Sequence, residues 1–149
     1  MKIAFDLDGV LCDIDIPALN AIRRLYEGEE RLKEDILYYM SRKPILNPED
    51  FLHEGDEYIV ITARYDDLWE VSKKWLDKYC PNHSDFFMVG SVTGYSEKEK
   101  WTDLAARAKI SIMEKEGVDI YFDDNPRFVE KYRNLTKIPI IQYGGRYIC

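Results

Sequence analysis

The chain has 149 residues, of which 46% are hydrophobic and 33% are charged, and its formal net charge is -7. This composition is typical of one soluble globular domain and excludes a disordered chain or a large second domain. The acidic charge argues against a nucleic-acid partner, because binding to phosphate backbones depends on clustered Lys and Arg. The chain begins directly with a strand pattern, and no apolar run approaches the ~20 residues that span a bilayer, so we expect a cytoplasmic protein.

The first apolar run of the chain ends at two carboxylates. Residues 3–11 are Ile-Ala-Phe-Asp-Leu-Asp-Gly-Val-Leu, a pattern typical of a buried central strand that stops at a glycine. Asp6 and Asp8 should project from its carboxyl end, where open α/β sheets bind ligands. Alone, this motif is also compatible with a polar turn. However, two carboxylates this close repel each other unless a cation or a positive side chain compensates them, which indicates chemistry.

A helix and an irregular insert follow. Apolar side chains at helical spacing predict a helix over residues 14–25, with Pro17 in its first turn. Residues 27–55 lose this periodicity and form a stretch that is too long for a plain connection and too short for a domain. We expect a small, partly helical insert there. Its Tyr38, Tyr39 and Arg42 are interpreted either as a surface for a base or a phosphate, or as the face of a partly exposed amphipathic helix.

The rest of the chain alternates between strand and helix patterns. Strands are predicted at residues 58–61, 86–90, 118–122 and 138–141, with helices at 68–79, 96–116 and 126–132 between them. This alternation predicts a parallel sheet with right-handed crossovers. Pro139 cannot donate a hydrogen bond to a neighbouring strand, so the last strand is expected at a sheet edge.

Polar residues follow three of the predicted strands at their carboxyl ends. Thr62 follows the second strand, and Asp123 and Asp124 follow the fourth. If the first and fourth strands are neighbours, these acids converge with Asp6 and Asp8. Such a cluster favours Mg²⁺, which prefers oxygen ligands and is usually shared with a substrate phosphate. One of the adjacent acids is also a candidate N-cap for the next helix, although one cap does not need two acids.

The order of these segments resembles the haloacid dehalogenase-like (HAD) phosphohydrolase superfamily. The motifs that carry the resemblance are Asp6-Leu-Asp-Gly-Val, Ile61-Thr-Ala-Arg and Phe122-Asp-Asp-Asn-Pro. The resemblance covers nearly the whole chain, except for most of residues 27–55. The resemblance implies a single α/β domain over residues 1–149, a Rossmann-like three-layer sandwich whose parallel sheet has the order 3-2-1-4-5. The insert at about 27–55 would be a small cap between the first and second motifs.

The resemblance also implies a chemistry for the acidic residues. Asp6 would be the nucleophile that becomes an aspartyl-phosphate. Asp8 would protonate the leaving oxygen and then deprotonate the attacking water. Mg²⁺ would be bound by the Asp6 carboxylate, the Asp8 backbone carbonyl and one or both of Asp123 and Asp124.

By the same resemblance, residues near the second strand and one lysine would hold the phosphoryl group. Thr62, with the adjoining Ala63, would contact the phosphoryl oxygens, whereas Arg64 is interpreted either as a phosphate ligand or as a structural ion pair.

The expected lysine is ambiguous in the sequence. Lys109, which lies 14 residues before Asp123, ranks first, and Lys98 and Lys100 are the alternatives. Each of these lysines is equally compatible with a solvated helix face.

The sequence therefore predicts a Mg²⁺-dependent phosphomonoesterase that acts on a small phosphorylated metabolite. The pattern looks most like the small 5′-nucleotidase-like members of the superfamily, so a nucleotide is the narrower hypothesis. The alternatives are a receiver-like phosphorylation switch and a metal-dependent nuclease. A receiver would normally carry its phosphorylated Asp at the end of the third strand, but here that strand leads into Val89-Gly90 with no acid.

Overall fold

The described architecture alternates strands with helices, as the sequence pattern predicts. A computed structural model describes residues 1–92 and 98–144, without the side chains of residues 98–100. In this part of the chain the elements are β1 (Lys2–Phe5), α1 (Ile16–Leu25), α2 (Gly28–Met40), β2 (Glu57–Thr62), α3 (Trp69–Tyr79), β3 (Asp85–Met88), α4 (Lys98–Lys115), β4 (Ile120–Asp123), α5 (Pro126–Leu135) and β5 (Ile140–Gln142). No described helix is long and apolar enough to cross a membrane.

The five described strands form one parallel sheet in the order β3-β2-β1-β4-β5. This confirms the predicted order 3-2-1-4-5 and the edge position of the last strand. Phe5 on β1 pairs with Val60 on one side and with Phe122 on the other. The strand order reverses beside β1, so the carboxyl end of this strand lies at the topological switch point of the sheet.

Helices cover both faces of the sheet, and alternate residues of β1 point into the two layers. Ala4 lies in a buried cluster with Ala105 of α4 and Val129 of α5. Phe5 lies in a second cluster, on the opposite face, with Trp75 of α3. Burying one large apolar side chain stabilises the fold by roughly 1.5–3 kcal/mol. This two-sided burial explains why residues 3–5 of β1 are all apolar.

The insert begins with α2, which packs on α1 and α3. Tyr38 and Tyr39 are each only 7% exposed and share a cluster with Leu19 and Val71. The expected partly exposed amphipathic helix is present, with Leu37 and Met40 on its exposed side and both tyrosines on its buried side. The tyrosines therefore do not form an open surface for a base. Their rings are buried because α2 lies in the groove between two other helices, a contact that periodicity within α2 cannot reveal. That the insert serves as a cap stays a prediction.

Candidate active site

The turn after β1 places Asp6 at the sheet edge and brings a glycine against a second acid. Asp6 extends the pairing by one residue, since its backbone N–H donates to the Phe122 carbonyl at 2.8 Å. Its carboxylate accepts from the Leu7 N–H at 2.9 Å. Gly9 has φ +83°, and a Cβ atom there would lie 1.9 Å from Oδ2 of Asp124. The glycine therefore allows this loop to approach the β4 end closely.

Three acids meet at this edge, as the strand order requires. Asp6, Asp123 and Asp124 are all buried, and one carboxylate oxygen of each lies within 4.8 Å of the others. The convergence arises because β1 and β4 are neighbours, so residues more than a hundred positions apart follow adjacent strand ends. Three buried carboxylates at this spacing repel one another strongly unless positive charge compensates them.

Lys109 provides part of that charge from α4. Its side chain is 2% exposed, and its ammonium lies 3.2 Å from Oδ1 of Asp6 and 3.4 Å from Oδ2 of Asp123. It also donates to the Tyr121 hydroxyl at 2.9 Å. The structure thus brings Lys109 to the acids. The side chains of Lys98 and Lys100 lie outside the described residues.

The two adjacent acids at the carboxyl end of β4 have different surroundings. Oδ2 of Asp123 accepts from the hydroxyls of Tyr121 and Tyr132 at 3.1 Å and 2.9 Å, in addition to Lys109. Its other oxygen accepts from the Asn125 N–H at 3.0 Å. Oδ2 of Asp124, in contrast, is buried and has no hydrogen-bond partner among the described residues. Asp123 is therefore saturated by protein donors, whereas Asp124 keeps a free oxygen.

The N-cap of α5 is neither of these acids. The side chain of Asn125 accepts from the Arg127 N–H at 3.0 Å and caps the helix. The interpretation of Asp123 or Asp124 as the cap is wrong, because Asn125 lies one residue before Pro126, which occupies the first helical position.

Burial and mutual repulsion shift the proton affinities of the cluster. Burial is the main cause that raises the pKa of Asp6 well above its ordinary value, and Lys109 opposes this. Burial and the Asp123 carboxylate raise the pKa of Asp124 to about 7. Burial disfavours the charged form of Lys109, but Asp6 and Asp123 outweigh it and raise the pKa of this lysine. Lys109 therefore stays charged while the carboxylates compete for further positive charge.

Asp8 lies outside the three-acid cluster and pairs with Arg64. The Nη2 atom of Arg64 lies 2.6 Å from Oδ1 of Asp8, and its Nε atom lies 2.9 Å from Oδ2. Burial alone raises the pKa of Asp8, but the charge and hydrogen bonds of Arg64 outweigh it and hold this pKa below its ordinary value. Of the two interpretations of Arg64, the structure shows the ion pair.

The end of β2 places Thr62 and Ala63 at the edge of the sheet that also carries Asp6. Thr62 is the last residue of β2 and is 1% exposed, and its hydroxyl accepts from the Arg64 N–H at 3.4 Å. Ala63 follows it and is half-buried. Because β2 is hydrogen-bonded to β1, both residues lie at the same sheet edge as Asp6.

Two tyrosines and a cysteine take part in the site although the sequence pattern assigns them no such part. Tyr121 and Tyr132 hydrogen-bond Asp123, and the Cys12 thiol lies 3.3 Å from Oδ1 of Asp8. A signal exists for Tyr121, since the hydroxyl of a tyrosine on a fully buried strand must find a polar partner. Tyr132 and Cys12 resemble ordinary apolar positions in the sequence, and their polar partners come from distant segments.

The residues present fit a hard divalent cation. When the carboxylates of Asp6, Asp8, Asp123 and Asp124 are all ionised, they face only two cationic side chains, and two negative charges remain uncompensated. Oδ2 of Asp124, which has no hydrogen-bond partner among the described residues, is free to bind such an ion. Mg²⁺ prefers oxygen ligands, and the carboxylates of this cluster offer only oxygen atoms.

No protein-family model matches this sequence, and no curated protein matches it. Solved structures, however, match over nearly the whole chain. A hydrolase from Streptococcus pneumoniae superposes with a TM-score of 0.58 and 13% identity, covering 97% of this chain and 93% of its own. A HAD-superfamily hydrolase of subfamily IA from Geobacter sulfurreducens gives 0.56 and 10%, covering 95% and 86%.

A third structure is an aspartate-to-alanine variant of a HAD-family enzyme from Bacteroides thetaiotaomicron, crystallised with magnesium and inorganic phosphate. It superposes with a TM-score of 0.54 and 12% identity, covering 95% of this chain and 92% of that one. At these identities the likeness shows the fold. The chain therefore has the HAD fold, as the resemblance of its motifs implies.

Proposed function

We propose that the protein is a Mg²⁺-dependent phosphomonoesterase that works through an aspartyl-phosphate on Asp6. The observation that carries this proposal is the cluster itself: Asp6 stands at the end of the central strand, 3.2 Å from the buried ammonium of Lys109 and beside an acid with a free oxygen. A carboxylate attacks a phosphate dianion only where their repulsion is compensated. The cluster supplies both the carboxylate and the means of compensation.

The cation would be held by Asp6, by the free oxygen of Asp124 and by the backbone carbonyl of Asp8. Asp123 would serve instead as the buried counter-charge of Lys109, because its oxygens already accept from protein donors. When bound, magnesium would neutralise the charge that the phosphoryl oxygens and the carboxylates bring together. A HAD-family enzyme of the same fold, crystallised with magnesium and phosphate, supports this choice of ion.

The chain's own residues would divide the reaction into two displacements. Asp8 enters the first displacement with the proton that it gained from water in the preceding turnover, although the charge of Arg64 lowers its pKa. An Asp6 oxygen then forms a bond to phosphorus while the bond to the leaving oxygen breaks, and that oxygen takes this proton from Asp8. In the second, water loses a proton to Asp8 and attacks the same phosphorus, which releases phosphate and restores Asp6. Lys109, with Thr62 and Ala63, would contact the phosphoryl oxygens throughout.

The substrate we propose is a small phosphorylated metabolite, with a nucleotide as the narrower hypothesis. The presence of Asp8 supports a phosphoester, because an alkoxide leaving group needs a proton whereas a halide does not. The insert would act as a minimal cap that forms one wall of the cleft. The buried rings of Tyr38 and Tyr39 do not support a stacking surface for a base, so the nucleotide hypothesis depends on the motifs alone.

The test is turnover of phenyl phosphate by the wild-type chain and by Asp6→Asn, each with Mg²⁺ and with excess chelator. The proposal predicts turnover only for the wild type with Mg²⁺. Stable phosphorylation without turnover would favour a receiver, and cleavage of a nucleic-acid substrate without phosphatase activity would favour a nuclease. The structure gives a receiver no support, because β3 leads into Val89 and Gly90 with no acid.

A further inference from the structure

Arg64 binds the Asp8 carboxylate in a bidentate manner, with one hydrogen bond to each oxygen. Both of its oxygens accept from Arg64, at 2.6 Å from Nη2 and 2.9 Å from Nε. A guanidinium that binds both oxygens of a carboxylate fixes the plane of that carboxylate, which a single point charge cannot do. The Cys12 thiol, 3.3 Å from Oδ1, contacts the same oxygen. Asp8 is therefore held in one orientation.

Arg64 is in turn fixed by two elements outside the active-site motifs. Its Nη1 atom donates to the Ser72 hydroxyl of α3 at 2.7 Å, and this hydroxyl donates onward to the Leu68 carbonyl at 2.7 Å. The guanidinium lies under the ring of Tyr39 from α2, with 4.0 Å between its central carbon and the ring centroid. The Arg64 side chain is 2% exposed, so these contacts leave it little freedom.

The insert that carries Tyr39 is joined to the loop after β1 by backbone hydrogen bonds. The Asp13 N–H donates to the Lys43 carbonyl, and the Ile45 N–H donates to the Leu11 carbonyl, both at 2.9 Å. The indole of Trp75 donates to the Arg42 carbonyl at 2.9 Å and ties the same segment to α3. The ring over Arg64 is therefore held in register with the loop that carries Asp8.

We infer that Arg64 is a positioning residue that aims Asp8 for proton transfer, and that Ser72 and Tyr39 position Arg64. This inference rests on the proposed function. The insert then contributes to catalysis through a buried contact to Arg64, without touching the substrate. Proton transfer demands a defined angle and distance between the carboxyl and the leaving oxygen, so a loosened Asp8 loses rate even when it is present.

An ion pair that served stability alone has a different experimental consequence. Loss of general stability lowers the activity toward every substrate by the same factor. Loss of Asp8 orientation affects the first displacement only where the leaving oxygen needs a proton, because a good leaving group departs as the anion. The leaving group therefore separates the two interpretations.

The experiment compares kcat/KM for phenyl phosphate and 2,4-dinitrophenyl phosphate, with saturating Mg²⁺, in the wild type and in Arg64→Gln. We expect kcat/KM to fall on the order of 100-fold for phenyl phosphate and less than about tenfold for the dinitrophenyl ester. Removing Arg64 also lets the pKa of Asp8 rise, which by itself would favour proton donation, so a loss on phenyl phosphate reports orientation rather than proton affinity. With the dinitrophenyl ester, a burst of dinitrophenol should precede slow turnover, because hydrolysis of the aspartyl-phosphate still needs Asp8 as the base. Arg64→Lys should not restore phenyl phosphate turnover, because the lysine ammonium is a point charge and cannot fix the plane of the carboxylate as a bidentate guanidinium does.

A matched pair in α2 tests the insert's part in the arrangement. Tyr38 and Tyr39 are each 7% exposed, but only Tyr39 lies over Arg64, while Tyr38 lies over Arg42. Tyr39→Leu should show the same preferential loss on phenyl phosphate, to a smaller degree, whereas Tyr38→Leu should lower both activities equally or not at all. Ser72→Ala should behave like Tyr39→Leu. If Arg64→Gln does not fold, Tyr39→Leu and Ser72→Ala test the inference in its place, with Tyr38→Leu as their control.

The outcomes distinguish this inference from the proposed function. A wild type that turns over neither ester with Mg²⁺ overturns the proposed function and this inference with it. An active wild type whose Arg64, Tyr39 and Ser72 variants lose equal factors on both esters, or lose nothing, overturns this inference alone. Recovery of phenyl phosphate turnover by Arg64→Lys also overturns it, because a point charge would then suffice.

Discussion

Replacing Lys109 by methionine should destabilise the fold more than any exposed lysine can. Methionine keeps the unbranched stem and removes only the ammonium, which also lies 5.5 Å and 5.4 Å from the ring centroids of Tyr121 and Phe128. That ammonium lies within 3.4 Å of Asp6 and Asp123, both of which are buried. Removing one partner of a buried ion pair costs about 3–5 kcal/mol, because it leaves the other charge without compensation.

The assay is urea unfolding of the wild type and of Lys109→Met in the presence of chelator, with Lys131→Met as the control. Lys131 pairs with Asp103 at the surface, where solvent screens the pair, so its loss should be much smaller. The cost of Lys109→Met should also shrink as the pH falls and the acids take up protons. Equal small losses in the two variants, or a cost that does not depend on pH, would refute the account of the cluster.

Three further predictions concern Asp124 and the loop against it. Asp124→Asn should raise the stability of the metal-free protein, since it removes an unpartnered buried charge, while abolishing both the Mg²⁺-induced rise in Tm and phosphatase turnover. Because the pKa of Asp124 is raised to about 7, the metal-free folded state binds a proton there that the unfolded chain releases near 3.8. Its free energy of unfolding should therefore fall by about 2–3 kcal/mol as the pH rises from ~5 to ~7 and level off above that, and the Tm gain on adding Mg²⁺ should grow over the same range; a stability that rises through pH 7 would contradict this. Gly9→Ala should weaken Mg²⁺ binding in a calorimetric titration and lower stability, because its Cβ would meet Asp124 at 1.9 Å and its φ of +83° disfavours a side chain; wild-type affinity in this variant would show that the loop tolerates displacement.

The fold was predictable because its signals are local and repeated. Each of the first four strands is a short apolar run followed by a helical pattern, and parallel connections of one hand leave few possible topologies. Pro139 located the edge strand, which is β5. The convergence of Asp6 with Asp123 followed from the strand order, since β1 and β4 are neighbours.

The partners of individual side chains were not predictable, because they depend on contacts between distant segments. Arg64 and Asp8 are separated by 56 positions, and nothing near Arg64 distinguishes an ion pair from a phosphate ligand. Asp123 and Asp124 are adjacent and chemically identical, and only the hydroxyls of Tyr121 and Tyr132 separate their surroundings.

The packing of the insert could not be predicted from sequence patterns either. The burial of Tyr39 requires the groove that α1 and α3 form, which periodicity within α2 does not encode.

The central claim is that Asp6 takes a phosphoryl group and passes it to water. Its most direct test is to quench the protein in acid during turnover of phenyl phosphate with Mg²⁺ and to map the phosphorylated peptide by mass spectrometry. The account predicts an acid-stable, hydroxylamine-sensitive phosphoryl group on Asp6 that is absent without Mg²⁺ and absent from Asp6→Asn. Turnover that continues in Asp6→Asn, or a phosphoryl group trapped on another residue, would contradict it.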